Sequence, residues 1–319
     1  MPPCGRRGLD MAKTRDIRKR ILSVRNIHKI TRTMEKVAQS KGMKLNGRFE
    51  SAKSFRRAAA GLLPEALGAP IASLEAAQEL ASHPLGAVHA EVKRVLLFIV
   101  TSSRGLCGGY NAKVIQAAKA RMEALRQGGR EVVLAVMGRK GLAYYRYHNQ
   151  PVALPVADSD ENIPFSRLDE VMTQIGERYA AREFDAVELV STRYKSRAVQ
   201  EVRITELLPF SAALAGAALG TGRAAPTQGP EGKPLYLVEP DRRRVLGILL
   251  PILVKVELFC AVLEAMVCEQ VARSAAMRSA TDNADSMTKR LTRTYNRVRQ
   301  AQITSEMIEI ISGSEGGRT

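Results

Sequence analysis

A glycine-rich segment with a cysteine at its centre is the part of the sequence most suited to chemistry. The segment Arg104–Gly109 reads RGLCGG and follows the apolar run Val95–Val100. Many α/β proteins bind phosphate groups in the turn that follows a buried strand, and Cys107 in such a turn would be a candidate nucleophile. The segment, however, has neither the GxGxxG nor the GxxxxGK[ST] spacing that cradles phosphates. The chemistry therefore depends on whether Cys107 has a partner.

The sequence offers Cys107 no recognisable general base or metal partner. The histidines are His28, His83, His89 and His148, and no signature ties any of them to Cys107. The cysteines (Cys4, Cys107, Cys260 and Cys268) include no CxxC pair, which argues against a zinc site. Cys260 and Cys268 are eight residues apart on a predicted helix, roughly 12 Å, too far for a disulfide. We interpret residues 104–109 as a tight turn and the thiols as reduced and packed. We expect no metal, cofactor or catalytic residue in this chain.

The net charge of +17 is unevenly distributed along the 319 residues. Residues 11–60 hold 15 Lys or Arg and three acids, a net of +12. Such a basic segment indicates a polyanionic partner. Aromatic residues are only 5% and Trp is absent, so base-stacking platforms would be sparse.

Two long helices are predicted near the ends of the chain, since interior proline breaks helices and no proline occurs between Cys4 and Leu63 or after Pro251. Residues 252–312 contain neither Gly nor Pro and would span roughly 90 Å as a helix. We place the start of the first helix at a Thr14 cap and the end of the second at Gly313. Val245–Val254 is the longest uncharged apolar run, shorter than the about 20 residues of a membrane span.

Each terminal helix carries an apolar stripe with spacings of three and four residues, and the second stripe has heptad spacing typical of a coiled coil. We predict that the two helices pair as a long antiparallel coiled coil. The first stripe comprises Ile17, Ile21, Val24, Ile27, Ile30, Met34 and Val37, and the second comprises Met277, Ala280, Ala284, Met287, Leu291, Thr294, Val298, Ala301, Ser305 and Ile308.

Between the helices, strands and helices alternate, which predicts a doubly wound, Rossmann-like α/β domain. The predicted strands are 95–100, 132–136, 152–156, 186–192 and 199–207, and the predicted helices are 111–127 and 166–183. The predicted organisation is a dispensable extension (1–10), an N-terminal shaft helix (11–60), a partly helical linker (61–90), the α/β domain (91–251) and a C-terminal shaft helix with a short tail (252–319). Residues 211–234, rich in Ala, Gly and Pro, are predicted to form a flexible loop.

Three segments resemble the gamma subunit of bacterial F-type, proton-translocating ATP synthases. The first is Ile21–Thr31, and the second is the turn RGLCGGYN at Arg104–Asn111. The third and most specific is Ala280–Ala284 (ATDNA) followed by Tyr295–Glu306 (YNRVRQAQITSE). The resemblance runs in the same order from about Met11 to Gly313.

The resemblance implies a rotor shaft without catalytic sites of its own. In the family, the paired helices enter a hexamer of alpha and beta subunits, which bind ATP, ADP and magnesium. The epsilon subunit and the ring of c subunits hold the lower α/β domain. One copy per complex couples proton flow to ATP synthesis or hydrolysis, peripherally at the cytoplasmic face of the bacterial plasma membrane.

The resemblance also assigns contacts with the beta subunits. Arg299, Gln300 and Thr304 match the family's catch residues, and Met34 matches the position that faces an acidic loop of the beta subunit. Lys36 departs from the family, in which an apolar residue is common, and adds positive charge near that loop. Residues 211–234 replace the inserted dithiol of chloroplast members and contain no cysteine, which favours a bacterial origin.

A nucleic-acid-binding protein with a basic coiled-coil arm is the alternative. It would account for the charge, but not for the order of the three segments or for the α/β domain.

Overall fold

The computed structural model describes residues 5–316, except 69, 72, 90, 158–162, 197–198, 220–237 and 240. Long helices at the two ends enclose a segment of alternating strands and helices in chain order, which confirms the predicted fold class. The helices are α1 (Gly5–Ala60), α2 (Leu63–Leu67), α3 (Leu74–Ser82), α4 (Tyr110–Gln127), α5 (Arg139–Tyr147), α6 (Phe165–Ala180), α7 (Ala212–Leu219) and α8 (Arg242–Gly316).

The strands form one mostly parallel sheet in the order β3-β2-β1-β4-β5. Strand β1 lies at the centre, with Phe98 opposite Ala135 on one side and Leu189 on the other. Only β5 is antiparallel, to β4, within the described residues. The strands are β1 (Arg94–Val100), β2 (Glu131–Met137), β3 (Leu154–Val156), β4 (Ala186–Tyr194) and β5 (Gln200–Leu208).

Helices cover both faces of the sheet because successive side chains of a strand point to opposite sides. Leu96 and Phe98 belong to a buried cluster that includes residues of α6 and α8. Leu97 and Ile99 belong to a second cluster, with residues of α4 and α5. The central strand is therefore an uninterrupted apolar run, as expected for a doubly wound domain.

Helix α8 begins ten residues before the predicted start at 252. The carboxylate of Asp241 accepts a hydrogen bond from the backbone N–H of Arg244 (2.8 Å), which is an N-cap contact. Pro251 therefore lies inside the helix, where proline costs about 3 kcal/mol. Buried leucines before and after it, Leu250 and Leu253, offset this cost, since each fully buried leucine contributes about 1.5–3 kcal/mol.

Helix α8 is also long and apolar enough, by composition, to cross a membrane. Its most apolar 18-residue window has a mean hydropathy of 2.4, and half of that window is buried within the fold. The core helix of a soluble protein has the same composition, and Leu258 and Leu263 are fully buried in the core beside the sheet.

The described chain forms two compact units, a helical unit (residues up to Ala38 and from Arg273) and an α/β unit (Gln39–Ala272). These bounds differ from the predicted domains because both terminal helices continue into the α/β unit, where Leu45 of α1 and Leu250 of α8 join its core.

The two long helices pair in antiparallel fashion within each unit. In the helical unit, the hydroxyls of Thr31 and Thr281 are 2.8 Å apart, and His28 interacts electrostatically with Asp285. Moving toward the N-terminus of α1 therefore corresponds to moving toward the C-terminus of α8, so the two helices are antiparallel.

The same relation holds in the α/β unit. A Cβ added at Gly42 would lie 3.5 Å from Cβ of Gln270, and further along α1 the guanidinium of Arg56 meets the carboxylate of Glu257 at 3.1 Å. Both side chains of this ion pair are largely buried, 19% and 13% exposed. The ion pair therefore fixes which turn of α1 faces which turn of α8 in this unit.

The predicted stripe on α1 was wrong at Ile27, Ile30 and Val37. Ile21 and Val24 are buried, but the buried face continues through Thr31 and Ala38. Ile27, Ile30 and Val37 are instead 50%, 58% and 46% exposed. Their hydropathy predicts that Ile27 and Ile30 face α8, whereas in the structure Thr31 occupies the buried position between the two helices.

Of the ten positions of the predicted seam on α8, five are buried or half-buried and five are exposed. Met277 and Ala284 are buried, Ala280, Leu291 and Val298 are half-buried, and Ile17 of α1 is half-buried as well. Met287 and Ile308 are 51% and 58% exposed, as are the other predicted seam positions Thr294, Ala301 and Ser305. The intervening inward positions are Thr281, Thr288, Tyr295 and Gln302, which are buried or half-buried.

The threonines tolerate inward positions because each satisfies its hydroxyl locally. Thr281 donates to the carbonyl of Met277 and Thr288 to that of Ala284, both at 2.8 Å. Such a bond to the preceding turn removes most of the cost of burying a hydroxyl.

Both predicted helix ends were wrong. Thr14 lies inside α1 and Gly313 inside α8, since no proline stops either helix and an interior glycine costs only about 1 kcal/mol.

The predicted loop 211–234 was wrong over Ala212–Leu219, which is α7 with Leu214 and Ala215 buried. Its alanines are strong helix formers. Residues 220–234 lie outside the described residues. The prediction also lacked α5 (Arg139–Tyr147), a helix of only nine residues.

Candidate functional site

A polar layer joins the two helices of the helical unit. The hydroxyl oxygens of Thr31 and Thr281 are 2.8 Å apart and buried. Because Thr281 donates its one proton to the carbonyl of Met277, its oxygen accepts from the hydroxyl of Thr31. The layer completes its hydrogen bonds and needs no larger side chain, so the backbones can approach closely. The layer was not predicted; its signal in the sequence is the heptad step from Met277 to Ala284, which passes through Thr281.

An exposed apolar stripe runs beside this seam on α1. It consists of Ile27, Ile30, Met34 and Val37, at steps of three, four and three residues; Met34 is half-buried and the other three are exposed. Residues at these steps share one helix face. The seam does not cover this face, which is thus available to another protein surface.

A basic stripe lies on a further face of α1. Its exposed residues follow steps of seven, four, three and four, and they are Arg18, Arg25, Lys29, Arg32 and Lys36. These steps keep five positive charges on one side of the helix. The helical unit therefore presents an apolar stripe and a basic stripe side by side.

The predicted catch residues are exposed on α8. Arg299, Gln300 and Thr304 all lie on its surface, and Thr304 donates to the carbonyl of Gln300 at 3.0 Å. The side chains of Arg299 and Gln300 have no partner among the described residues and can form new contacts.

The structure does not bring Met34 and Arg299 together. Met34 lies about one turn from the Thr31–Thr281 layer, whereas Arg299 is 18 residues beyond Thr281, roughly 27 Å along the helix. The two regions would contact a partner at different heights.

The glycine-rich turn is held by its own hydrogen bonds. Asn111 donates to the hydroxyl of Ser102 (2.7 Å) and to the sulfur of Cys107 (3.3 Å), and its oxygen accepts from the backbone N–H of Ser102 (3.0 Å). Leu106 and Gly108 have positive φ angles of 64° and 57°. These contacts support the interpretation as a tight turn.

Cys107 is buried and contacts Ser102 and Asn111 rather than a base. Burial raises the pKa of Cys260 and of Cys268 to about 12 each, so neither is a nucleophile at neutral pH. The described residues contain no group of His, Cys, Asp and Glu that could hold a metal ion. We find no catalytic constellation in this part of the chain.

Comparisons with known proteins agree over almost the whole length. The family model described as ATP synthase matches residues 13–316. The ATP synthase gamma chain of Leptospira biflexa is 34% identical over 305 residues, covering 96% of this chain and 99% of the relative. The gamma chain of Rhodospirillum rubrum is 36% identical over 307 residues, with the same coverage.

The fold has solved counterparts as well. A chain in the mitochondrial ATP synthase of Euglena gracilis, from a structure of its OSCP, F1 and c-ring parts, matches with a TM-score of 0.62 at 19% identity, covering 96% of this chain and 94% of the other. A chain from the central stalk and c-ring of the Tetrahymena thermophila enzyme matches with a TM-score of 0.53. The family match and the near-complete curated relatives establish that this chain belongs to the ATP synthase gamma-chain family.

Proposed function

We propose that this chain is the central-stalk rotor of a bacterial F-type ATP synthase and has no catalytic site or cofactor of its own. The observation that carries the proposal is the helical unit, a long pair of helices whose apolar and basic stripes are left uncovered by the described residues. ATP, ADP and magnesium would be bound by alpha and beta subunits surrounding this pair.

The asymmetry of the helical unit supplies the coupling mechanism. A ring of three identical beta subunits around it would meet a different face at each position: the apolar stripe, the basic stripe or the catch residues. A contact shifts a conformational equilibrium only by its differential affinity for the two conformations. Turning the shaft by a third of a revolution therefore exchanges the conformations among the three sites.

The positive charge of the basic stripe favours contacts with acidic surfaces of the partner subunits. The basic stripe of α1 would pass acidic loops of the beta subunits, where opposite charge favours association. Lys36 adds to this stripe, and Met34 would contact the acidic loop from the neighbouring apolar stripe. The α/β unit would bind the epsilon subunit and the c-ring, at the cytoplasmic face of the plasma membrane.

Reconstitution tests the proposal. The full chain, mixed with alpha and beta subunits, should form a complex that hydrolyses ATP. Arg299→Ala or Gln300→Ala should slow turnover by up to about tenfold, the loss of one charge-assisted contact of about 1.4 kcal/mol. The unfolding curve of the isolated chain should not change, because both side chains are exposed.

Arg146→Ala is the matched control, since Arg146 is an exposed arginine of the α/β unit and should leave the chemical step unchanged. Failure of the chain to assemble with alpha and beta subunits would refute the rotor role. Unchanged turnover in both catch variants would refute the assigned contacts but not the role.

Neither the fold nor the relatives support the nucleic-acid alternative. It would require salt-dependent binding of RNA or DNA at nanomolar affinity near physiological salt, and a filter-binding titration of the full chain would detect this.

A further inference from the structure

A cavity in the α/β unit is not among the contacts that the proposed rotor function uses. It lies between α4 and α5, has a volume of about 630 Å³ and is open to solvent. Pockets for small molecules typically have volumes of about 300–1,000 Å³. The cavity is therefore large enough for a compound the size of a mononucleotide.

The floor of the cavity is apolar and aromatic. Met122 and Tyr145 lie there and are buried. The hydroxyl of Tyr145 is buried without a hydrogen-bond partner in the described structure. A buried hydroxyl without a partner costs about 1–3 kcal/mol, which a hydrogen bond to a bound ligand or water would recover.

The wall presents aromatic rings. The rings of Tyr144 and His148 lie 4.1 Å apart, tilted by 30°. The Nδ1 atom of His148 is 2.9 Å from the carbonyl oxygen of Tyr144. A carbonyl only accepts, so Nδ1 carries a proton, and this bond fixes the ring orientation. The wall is thus a preformed surface on which a planar ring can stack.

The rim carries two cations on α4. Lys119 and Arg126 are seven residues apart, on one face of the helix and roughly 10 Å apart along it. Both are exposed and line the cavity, and Arg126 donates to Oε1 of Gln150 at 3.2 Å, which orients its guanidinium. Glu123 is the carboxylate among the lining residues. The excess positive charge favours an anionic ligand.

We propose that this cavity binds a planar aromatic compound carrying a phosphate group, of which a nucleoside monophosphate is the representative. The aromatic ring stacks on Tyr144, and the phosphate binds Arg126 and Lys119. The proposal is independent of the rotor role, because no lining residue belongs to the helical unit.

Isothermal titration calorimetry of the full chain tests the proposal with AMP, adenosine and inorganic phosphate as probes. AMP should bind at least tenfold more tightly than adenosine, which lacks the phosphate, and than phosphate, which lacks the ring. Naphthyl phosphate should match AMP if ring and phosphate suffice for recognition. Absence of measurable AMP and naphthyl phosphate binding at millimolar concentrations would overturn the proposal.

Variants locate the site. Arg126→Gln and Lys119→Gln should each weaken AMP binding about three- to tenfold, while adenosine binding stays the same. Arg146→Gln on α5 is the matched control, since Arg146 is exposed but does not line the cavity. Equal weakening by all three variants would show general charge attraction and refute the site. Since all three side chains are exposed, a thermal unfolding curve equal to wild type confirms that each variant is folded.

Discussion

The buried ion pair between Arg56 and Glu257 gives the sharpest quantitative prediction. The Nη1 atom of Arg56 lies 3.1 and 3.2 Å from the two carboxylate oxygens. At this distance and an effective dielectric constant of about 20, the gross attraction is about 5 kcal/mol. Burial nevertheless raises the pKa of Glu257, and Arg56 only partly offsets this effect. The desolvation cost of the carboxylate therefore exceeds the benefit of the pair.

The variants Glu257→Ala and Arg56→Ala should consequently lower the free energy of unfolding by different amounts. Glu257→Ala leaves a guanidinium that cannot lose its proton, so the free energy of unfolding should fall by about 3–5 kcal/mol. Arg56→Ala leaves a carboxyl that takes up a proton instead, so it should cost about 1–2 kcal/mol less. The double variant should be no less stable than Glu257→Ala, a coupling of about 2 kcal/mol or more.

Urea unfolding of the full chain at pH 7 measures the four free energies of this cycle. The matched control is the pair of Arg94 and Glu131, whose fork geometry is better, 2.7 and 3.0 Å, but whose side chains are 49% and 59% exposed. Its coupling should be much smaller. An equal or larger coupling in the exposed pair, or equal costs for Arg56→Ala and Glu257→Ala, would refute the reasoning from burial.

Three further predictions concern single positions. Burial raises the pKa of Glu264, so the folded state binds its proton more tightly than the unfolded chain, and stability is lost as pH rises above about 4.5. Glu264→Gln should therefore gain stability relative to wild type between pH 4 and pH 7, measured by urea unfolding. Thr281→Val should lower the free energy of unfolding by about 1 kcal/mol, because it leaves Thr31 without its partner. The double variant Thr31→Val with Thr281→Val should be nearly as stable as wild type. Gly138→Ala should cost more than 2 kcal/mol, because the φ angle is 95° and the new Cβ would overlap the backbone of Thr101.

The controls for these positions are available in the same chain. Gly109 has a φ angle of −82° and open space around a new Cβ, so Gly109→Ala should be tolerated. A cost at Gly109 equal to that at Gly138 would contradict the steric argument. A pH-independent difference between Glu264→Gln and wild type would contradict the pKa argument, and a double threonine variant as costly as two single ones would contradict the paired layer.

The α/β unit was largely predictable because its strands are apolar runs bounded by turns. Burial of β1 on both faces appears in the sequence as Val95–Val100, and the structure extends the strand by one residue. Helix α5 was missed because it is short, and residue type does not indicate burial within it: Tyr144 is half-buried, whereas Tyr147 is 83% exposed.

The seam was only half predictable because hydropathy does not separate a chain's own core from a surface intended for another protein. Ile27 and Ile30 have the same hydropathy as Ile21, yet only Ile21 is buried. Thr31 is not part of an apolar stripe, although a hydrogen-bonded hydroxyl is inexpensive to bury. The catch residues came from the family resemblance, since no physical pattern distinguishes Arg299 from the other exposed arginines of α8.

The exposed isoleucines also bear on how the cell makes this protein. A copy without its partners leaves Ile27, Ile30 and Val37 in water, and such a stripe favours self-association over solubility. Surplus copies would then be removed by aggregation or proteolysis, so subunit numbers would be matched without a dedicated counting device. Sedimentation of the chain with and without alpha and beta subunits would measure this dependence.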